Sequence, residues 1–128
     1  MSLDLMIVDD CDIFAFAVEG FAKLTKPSLE VIKFNIGVQA LIYLRSNVED
    51  LPRGYLIDMR LPGSYEEQNA PLEIYLFLKE RGRTKYFSFY TANLSEHDLE
   101  VQRITKASVI LKSDTRRLER FLTRLTRT

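Results

Sequence analysis

Asp9 and Asp10 stand together after the run Leu3-Asp4-Leu5-Met6-Ile7-Val8. Asp58 follows Tyr55-Leu56-Ile57, Thr91 follows Tyr86-Phe87-Ser88-Phe89-Tyr90, and Lys112 follows Ser108-Val109-Ile110-Leu111. Carboxylates drawn into one pocket repel: two unit charges about 4 Å apart at an effective dielectric near 20 cost roughly 4 kcal/mol. Such a group holds a proton or binds a cation. With oxygen donors alone, and no His or Cys among them, the fitting ion is Mg²⁺ or Mn²⁺. A lysine opposite and a threonine hydroxyl alongside complete a site for a phosphoryl group. The carboxylate of an Asp so placed can be the nucleophile, forming an aspartyl-phosphate, and the protein then supplies positioning and electrostatics.

These residues meet only if the elements before them lie side by side. The apolar runs suit strands buried on both faces of a parallel sheet. Between them fall helical patterns. Asp12 is placed to cap the first, with Phe14, Ala17, Val18, Phe21 and Leu24 as its stripe. Glu30 to Phe34 reads as the second strand, and Val38, Leu41 and Ile42 mark the second helix. Leu72 to Leu78 is the third helix, and Glu96 to Ile104 the fourth, opening at Ser95. The last runs from about Asp114, with Leu118, Phe121, Leu122 and Leu125 as its buried stripe. Pro62 to Pro71 reads as a polar loop longer than most α/β connections. Five strand–helix pairs in alternation predict a doubly wound parallel sheet with helices on both faces. In such folds ligands sit beyond the carboxyl ends of the strands, where all the residues above are expected.

The 128 residues carry 18 Lys+Arg against 18 Asp+Glu, which argues against a nucleic-acid domain. One Cys rules out an internal disulfide, and no Cys/His cluster suits zinc. Neither a signal peptide at Met1 to Asp10 nor an apolar run of membrane-spanning length is legible. The expectation is one cytoplasmic domain spanning residues 1–128.

The constellation resembles the receiver domain of two-component response regulators, the CheY-like type. The matching pieces are Asp9-Asp10, Asp58-Met59-Arg60-Leu61-Pro62-Gly63, Phe89-Tyr90-Thr91-Ala92 and Lys112, in order and each at a strand end. The resemblance implies a flavodoxin-like sheet of order 2-1-3-4-5. It makes Asp58 the acceptor of a phosphoryl group from a histidine kinase or histidine phosphotransfer protein. It implies Mg²⁺ held by Asp9, Asp10, Asp58 and the backbone carbonyl of Arg60. Thr91 and Lys112 would bind phosphoryl oxygens, and Ala92 would keep the approach open. Such a domain is a self-dephosphorylating phosphoacceptor, not a turnover enzyme. Its last helix and neighbours form the usual partner and dimer surface, with output through a downstream protein.

Some positions depart from that pattern. Ser113 follows the lysine where receivers usually have a cis proline, so a trans bond is expected. Val109 replaces the aromatic switch residue, and Pro71 stands where a glycine usually precedes the third helix. These departures motivate a second reading, a receiver-like interaction module that works without phosphorylation. A haloacid-dehalogenase-type phosphohydrolase needs a second acid two residues past the nucleophile, where Arg60 stands.

Singly, each residue has a plainer role. Asp9-Asp10 could only open a helix, Asp58 only precede a turn, Thr91 only be a helix-side turn hydroxyl, and Lys112 only be solvated. Tyr86, Phe87, Phe89 and Tyr90 read as core packing, Phe16 as partly exposed near the crevice mouth, and Cys11 as a buried or half-buried thiol. His97 reads as a solvated side chain with no route to the crevice. From Lys112 to Thr128, six basic residues face two acidic ones. A solvated face is the default; an arginine-rich partner surface would favour an acidic protein.

Overall fold

The computed structural model describes residues 3–127. Five strands and five helices alternate: β1 (Leu5–Val8), α1 (Asp12–Thr25), β2 (Val31–Phe34), α2 (Gly37–Ser46), β3 (Gly54–Asp58), α3 (Tyr65–Glu80), β4 (Tyr86–Thr91), α4 (Glu96–Thr105), β5 (Ser108–Leu111) and α5 (Thr115–Thr126). The strands form one parallel sheet of order β2-β1-β3-β4-β5, as expected.

Strand alternation divides the core between the two faces. Met6, Val8, Tyr55, Ile57, Phe87, Phe89 and Val109 pack with Leu41, Leu44, Ile74 and Leu78 of α2 and α3. Leu5, Ile7, Leu56, Tyr90 and Ile110 pack with Ala15, Val18, Leu122 and Leu125 of α1 and α5. Strands β1 and β3 are buried throughout, which is why Leu5–Val8 and Tyr55–Ile57 read as apolar runs.

Several helix details differ from the sequence expectation. Asp12 does not cap α1; Cys11 holds the N-cap position without a side-chain bond, and Asp12 lies in the first turn. The buried stripe of α1 is Ala15, Val18 and Ala22, small residues that let the helix lie close to the sheet. Ala17 is exposed, as are Phe21 and Leu24, and Phe14 is half-buried. In α2 the buried residues are Gly37, Ala40, Leu41 and Leu44, while Ile42 faces outward.

The stretch taken as a loop up to Pro71 is mostly helix. Ser64 caps α3, accepting from the Glu67 N–H at 3.2 Å, and Pro71 lies inside the helix. Glu67 holds this segment down. Its buried carboxylate accepts from the backbone amides of Gly37 at 2.5 Å and Val38 at 2.9 Å, capping α2 from a neighbouring helix. A β-carbon at Gly37 would meet Leu61 Cδ1 at 2.4 Å and Ala70 Cβ at 2.8 Å, so only glycine permits this approach.

Candidate functional site: an acidic crevice with a bridging lysine

Register brings the strand ends together. Ile57 pairs with Val8, Asp58 with Tyr90 and Leu111 with Thr91, so the residues following β1, β3, β4 and β5 rim one crevice. The backbone ties this rim: Met59 N–H donates to the Tyr90 carbonyl at 3.0 Å, and Lys112 N–H to the Thr91 carbonyl at 2.8 Å.

Asp9, Asp10 and Asp58 each offer an oxygen, and these oxygens lie within 4.8 Å of one another. Asp9 and Asp58 are buried, and Asp10 is exposed. Lys112 Nζ donates to Asp58 Oδ2 at 3.1 Å and to Asp9 Oδ1 at 3.2 Å, bridging the two buried acids. Asp58 Oδ1 accepts from the Arg60 N–H at 2.9 Å.

One ammonium does not neutralise this group. Burial pushes the Asp58 carboxyl from 3.8 up to about 7, against the lowering effects of the Arg60 N–H and of Lys112. Burial works against the charge on Lys112, but Asp58 and Asp9 outweigh it and hold the ammonium above its usual range. An all-oxygen donor set with an acid displaced this far upward fits a hard divalent cation.

Two groups sit differently from the expected picture. The Thr91 hydroxyl is buried and donates to the Asn93 carbonyl at 3.0 Å. The Arg60 side chain turns to α4, where Nε and Nη2 reach Asp98 Oδ2 at 3.0 and 2.8 Å, and Nη2 reaches the Asn93 carbonyl at 2.8 Å. Burial would raise the Asp98 carboxyl, but the Ser95 N–H and Arg60 hold it below the ordinary carboxylate range. His97 is exposed, as expected, and with Asp10, Arg60, Pro62 and Gln68 it lines a cavity of about 470 Å³.

Ala92 is exposed after β4, and Val109 is buried in the core beside Phe89. Cys11 is exposed instead of buried. No cis peptide occurs among the described residues, in line with Ser113 after the lysine.

Tyr90 is the residue that sequence reasoning missed. Its hydroxyl donates to Asp9 Oδ2 at 2.5 Å, and its ring lies 5.3 Å from that of Phe14. Burial, then the Asp9 charge, pushes the phenol far above its ordinary range. Its hydroxyl is one of four on β4, with those of Tyr86, Ser88 and Thr91, so nothing in the sequence singles it out.

No protein-family model and no curated protein matches this sequence. Solved structures do match its fold. A two-component response regulator from Legionella pneumophila is 16% identical with a TM-score of 0.74, over 99% of this chain and 100% of that one. The phosphorylated cyanobacterial phytochrome response regulator RcpA is 16% identical with a TM-score of 0.72, over 98% and 91%. The Mn²⁺-bound form of response regulator Rcp1 is 17% identical with a TM-score of 0.68, over 96% and 91%. With its strand order and the crevice at its strand ends, the chain has the CheY-like fold of response-regulator receiver domains.

Proposed function

We propose that the protein is a phosphoacceptor of two-component or phosphorelay signalling, taking a phosphoryl group onto Asp58. The observation that carries this is the Lys112 ammonium set 3.1 Å from Asp58 Oδ2 with Asp9 and Asp10 beside it. It is the arrangement a dianionic phosphoryl group and a cation would complete.

In the forward step an Asp58 oxygen attacks the phosphorus of a phosphohistidine. The P–N bond breaks, and its electron pair leaves with the imidazole nitrogen, which takes a proton. Lys112 balances charge on the incoming oxygens, and the Thr91 hydroxyl can exchange the Asn93 carbonyl for one of them. In the reverse step water attacks phosphorus, the P–O bond to Asp58 breaks, and inorganic phosphate leaves. Arg60 flanks this path and bears on the lifetime of the adduct. Asp9, Asp10, Asp58 and the Arg60 carbonyl would hold Mg²⁺ or Mn²⁺, which would supply positive charge toward the carboxylates and phosphoryl oxygens. That solved structures of this fold include a phosphorylated and a Mn²⁺-bound regulator supports the reading. The protein is an acceptor and not a turnover enzyme, and it works in the cytoplasm; among the described residues no helix is long and apolar enough to cross a membrane.

The donor protein must bring its histidine to the crevice rim, where α1 offers Ile13 and Phe16, 82% and 70% exposed, beside Asp9 on a shared cavity wall. Large apolar groups this exposed mark a contact surface. Output goes to an acidic protein partner through α5, whose Arg116, Arg120, Arg124 and Arg127 are exposed and line one surface depression.

The test is incubation with a small phosphodonor and Mg²⁺, followed by intact-mass analysis. An acid-stable, base-labile gain of one phosphoryl group is expected, absent in Asp58→Asn. No gain in the wild type, or equal gain in Asp58→Asn, overturns the assignment.

Buried Val109 favours a second reading, since no aromatic switch stands at that position. Under it, partner binding is the same with and without phosphodonor and in Asp58→Asn.

A further inference from the structure

Asp9 is fully buried, and donors from three elements engage both of its oxygens. Oδ1 accepts from the Cys11 N–H at 2.9 Å and from Lys112 Nζ at 3.2 Å. Oδ2 accepts the Tyr90 hydroxyl at 2.5 Å and lies 3.1 Å from Lys112 Nζ. The ammonium stands 4.9 Å from the ring centroids of both Phe14 and Tyr90, an aromatic cradle that fixes where it points. Packing alone does not ask for this phenol. A phenylalanine fills nearly the same volume, as Phe89 does on the opposite face of the same strand. The hydroxyl is therefore the informative atom. It occupies an oxygen that a cation would otherwise take, and it keeps Asp9 turned toward Lys112.

We propose that Tyr90 is a positioning residue that pairs Asp9 with Lys112 and withholds its Oδ2 from the cation. Metal affinity is thereby held low, and the ammonium stays aimed at Asp58. This rests on the phosphoacceptor reading, in which the cation and Lys112 serve the same acceptor.

The test measures Mg²⁺ binding by calorimetry and Mn²⁺ binding by electron paramagnetic resonance, on wild type, Tyr90→Phe, Asp9→Asn and the double variant. Removing a hydrogen bond that competes for a charged acceptor tightens binding in Tyr90→Phe by roughly three- to tenfold. The gain vanishes when Asp9→Asn is already present. A merely structural role would leave affinity equal or weaken it, and either result overturns the proposal. The chain has no Trp, so above the phenylalanine bands a near-ultraviolet difference spectrum on adding metal reads its six Tyr. The wild type gives a signal that Tyr90→Phe lacks. If Tyr90→Phe fails to fold, absence of that signal in the wild type still overturns the proposal. Phosphoryl gain by wild-type Asp58 is scored separately. A wild type that is phosphorylated, with equal metal affinity in Tyr90→Phe, sinks this inference alone; a wild type that is never phosphorylated sinks the acceptor reading.

Discussion

The guanidinium of Arg60 grips Asp98 through two nitrogens at 3.0 and 2.8 Å, while the Arg60 backbone N–H holds Asp58 Oδ1 at 2.9 Å. One residue thus ties the acceptor carboxylate to the first turn of α4. Arg60→Ala is expected to speed amide exchange at residues 95–98. The stability loss stays below about 1 kcal/mol, because the guanidinium is half exposed. The same variant should change the rate of phosphoryl loss at least about twofold if Arg60 shields phosphorus from water. An unchanged rate removes Arg60 from hydrolysis and leaves it a structural tie.

Asp58 carries a pH signature. Folding raises its pKa from 3.8 to about 7, so between those values the folded chain holds a proton that the unfolded chain has released. Stability from this group therefore falls as pH rises through the window. Denaturant titrations at pH 5 and pH 8 should show the wild type losing stability relative to Asp58→Asn, with the variant ahead by roughly 1–2 kcal/mol at pH 8. A wild type and variant that track each other across this range contradict a buried Asp58 carboxyl that keeps its proton on folding.

Metal should reverse that loss. Mg²⁺ at ten times its dissociation constant adds about 1.4 kcal/mol to folding. The increment should shrink in Asp10→Asn and below pH 7, where Asp58 is protonated. Thermal melts with Mg²⁺ or with a chelator check this.

At the α1 rim, Ile13→Asp and Phe16→Asp should leave the melting temperature and phosphorylation by a small phosphodonor unchanged, since both side chains face water. Transfer from a phosphohistidine protein should slow about tenfold. Equal slowing with the small donor would place the defect in the crevice instead.

Glu67 is a stability prediction. Glu67→Ala strands the buried Gly37 amide and uncaps α2, for about 2 kcal/mol or ~8 °C in melting temperature, read by calorimetry.

The fold was legible because β1 and β3 are buried on both faces, where Leu5–Val8 and Tyr55–Ile57 are apolar. The acids at their ends were legible because a charge directly after such a run has nowhere to go but the sheet edge. Helix faces were harder. In α1 the sheet-facing side is Ala15, Val18 and Ala22; of the expected stripe Val18 is buried and Phe14 half-buried, whereas Ala17, Phe21 and Leu24 face water. The first half of α3 was hidden by its polar composition, and the signals that form it, the Ser64 cap and the Glu67 bond across to α2, are respectively weak and non-local. Tyr90 was hidden for the opposite reason: its ring behaves as core, and only the position of Asp9 shows what its oxygen does. The roles of Thr91 and Arg60 depend on which carbonyl or carboxylate lies in reach, and no spacing in the chain encodes that.

Pro71 is the seventh residue of α3 and brings no N–H to the ladder, so the Glu67 carbonyl loses its intrahelical donor and the helix has a seam there. Upstream of the seam, Tyr65–Ala70 is moored to α2 by the Glu67 side chain. This lip of the crevice and α2 should therefore loosen as one unit, on a schedule separate from Leu72–Glu80, and deuterium uptake should step at the proline.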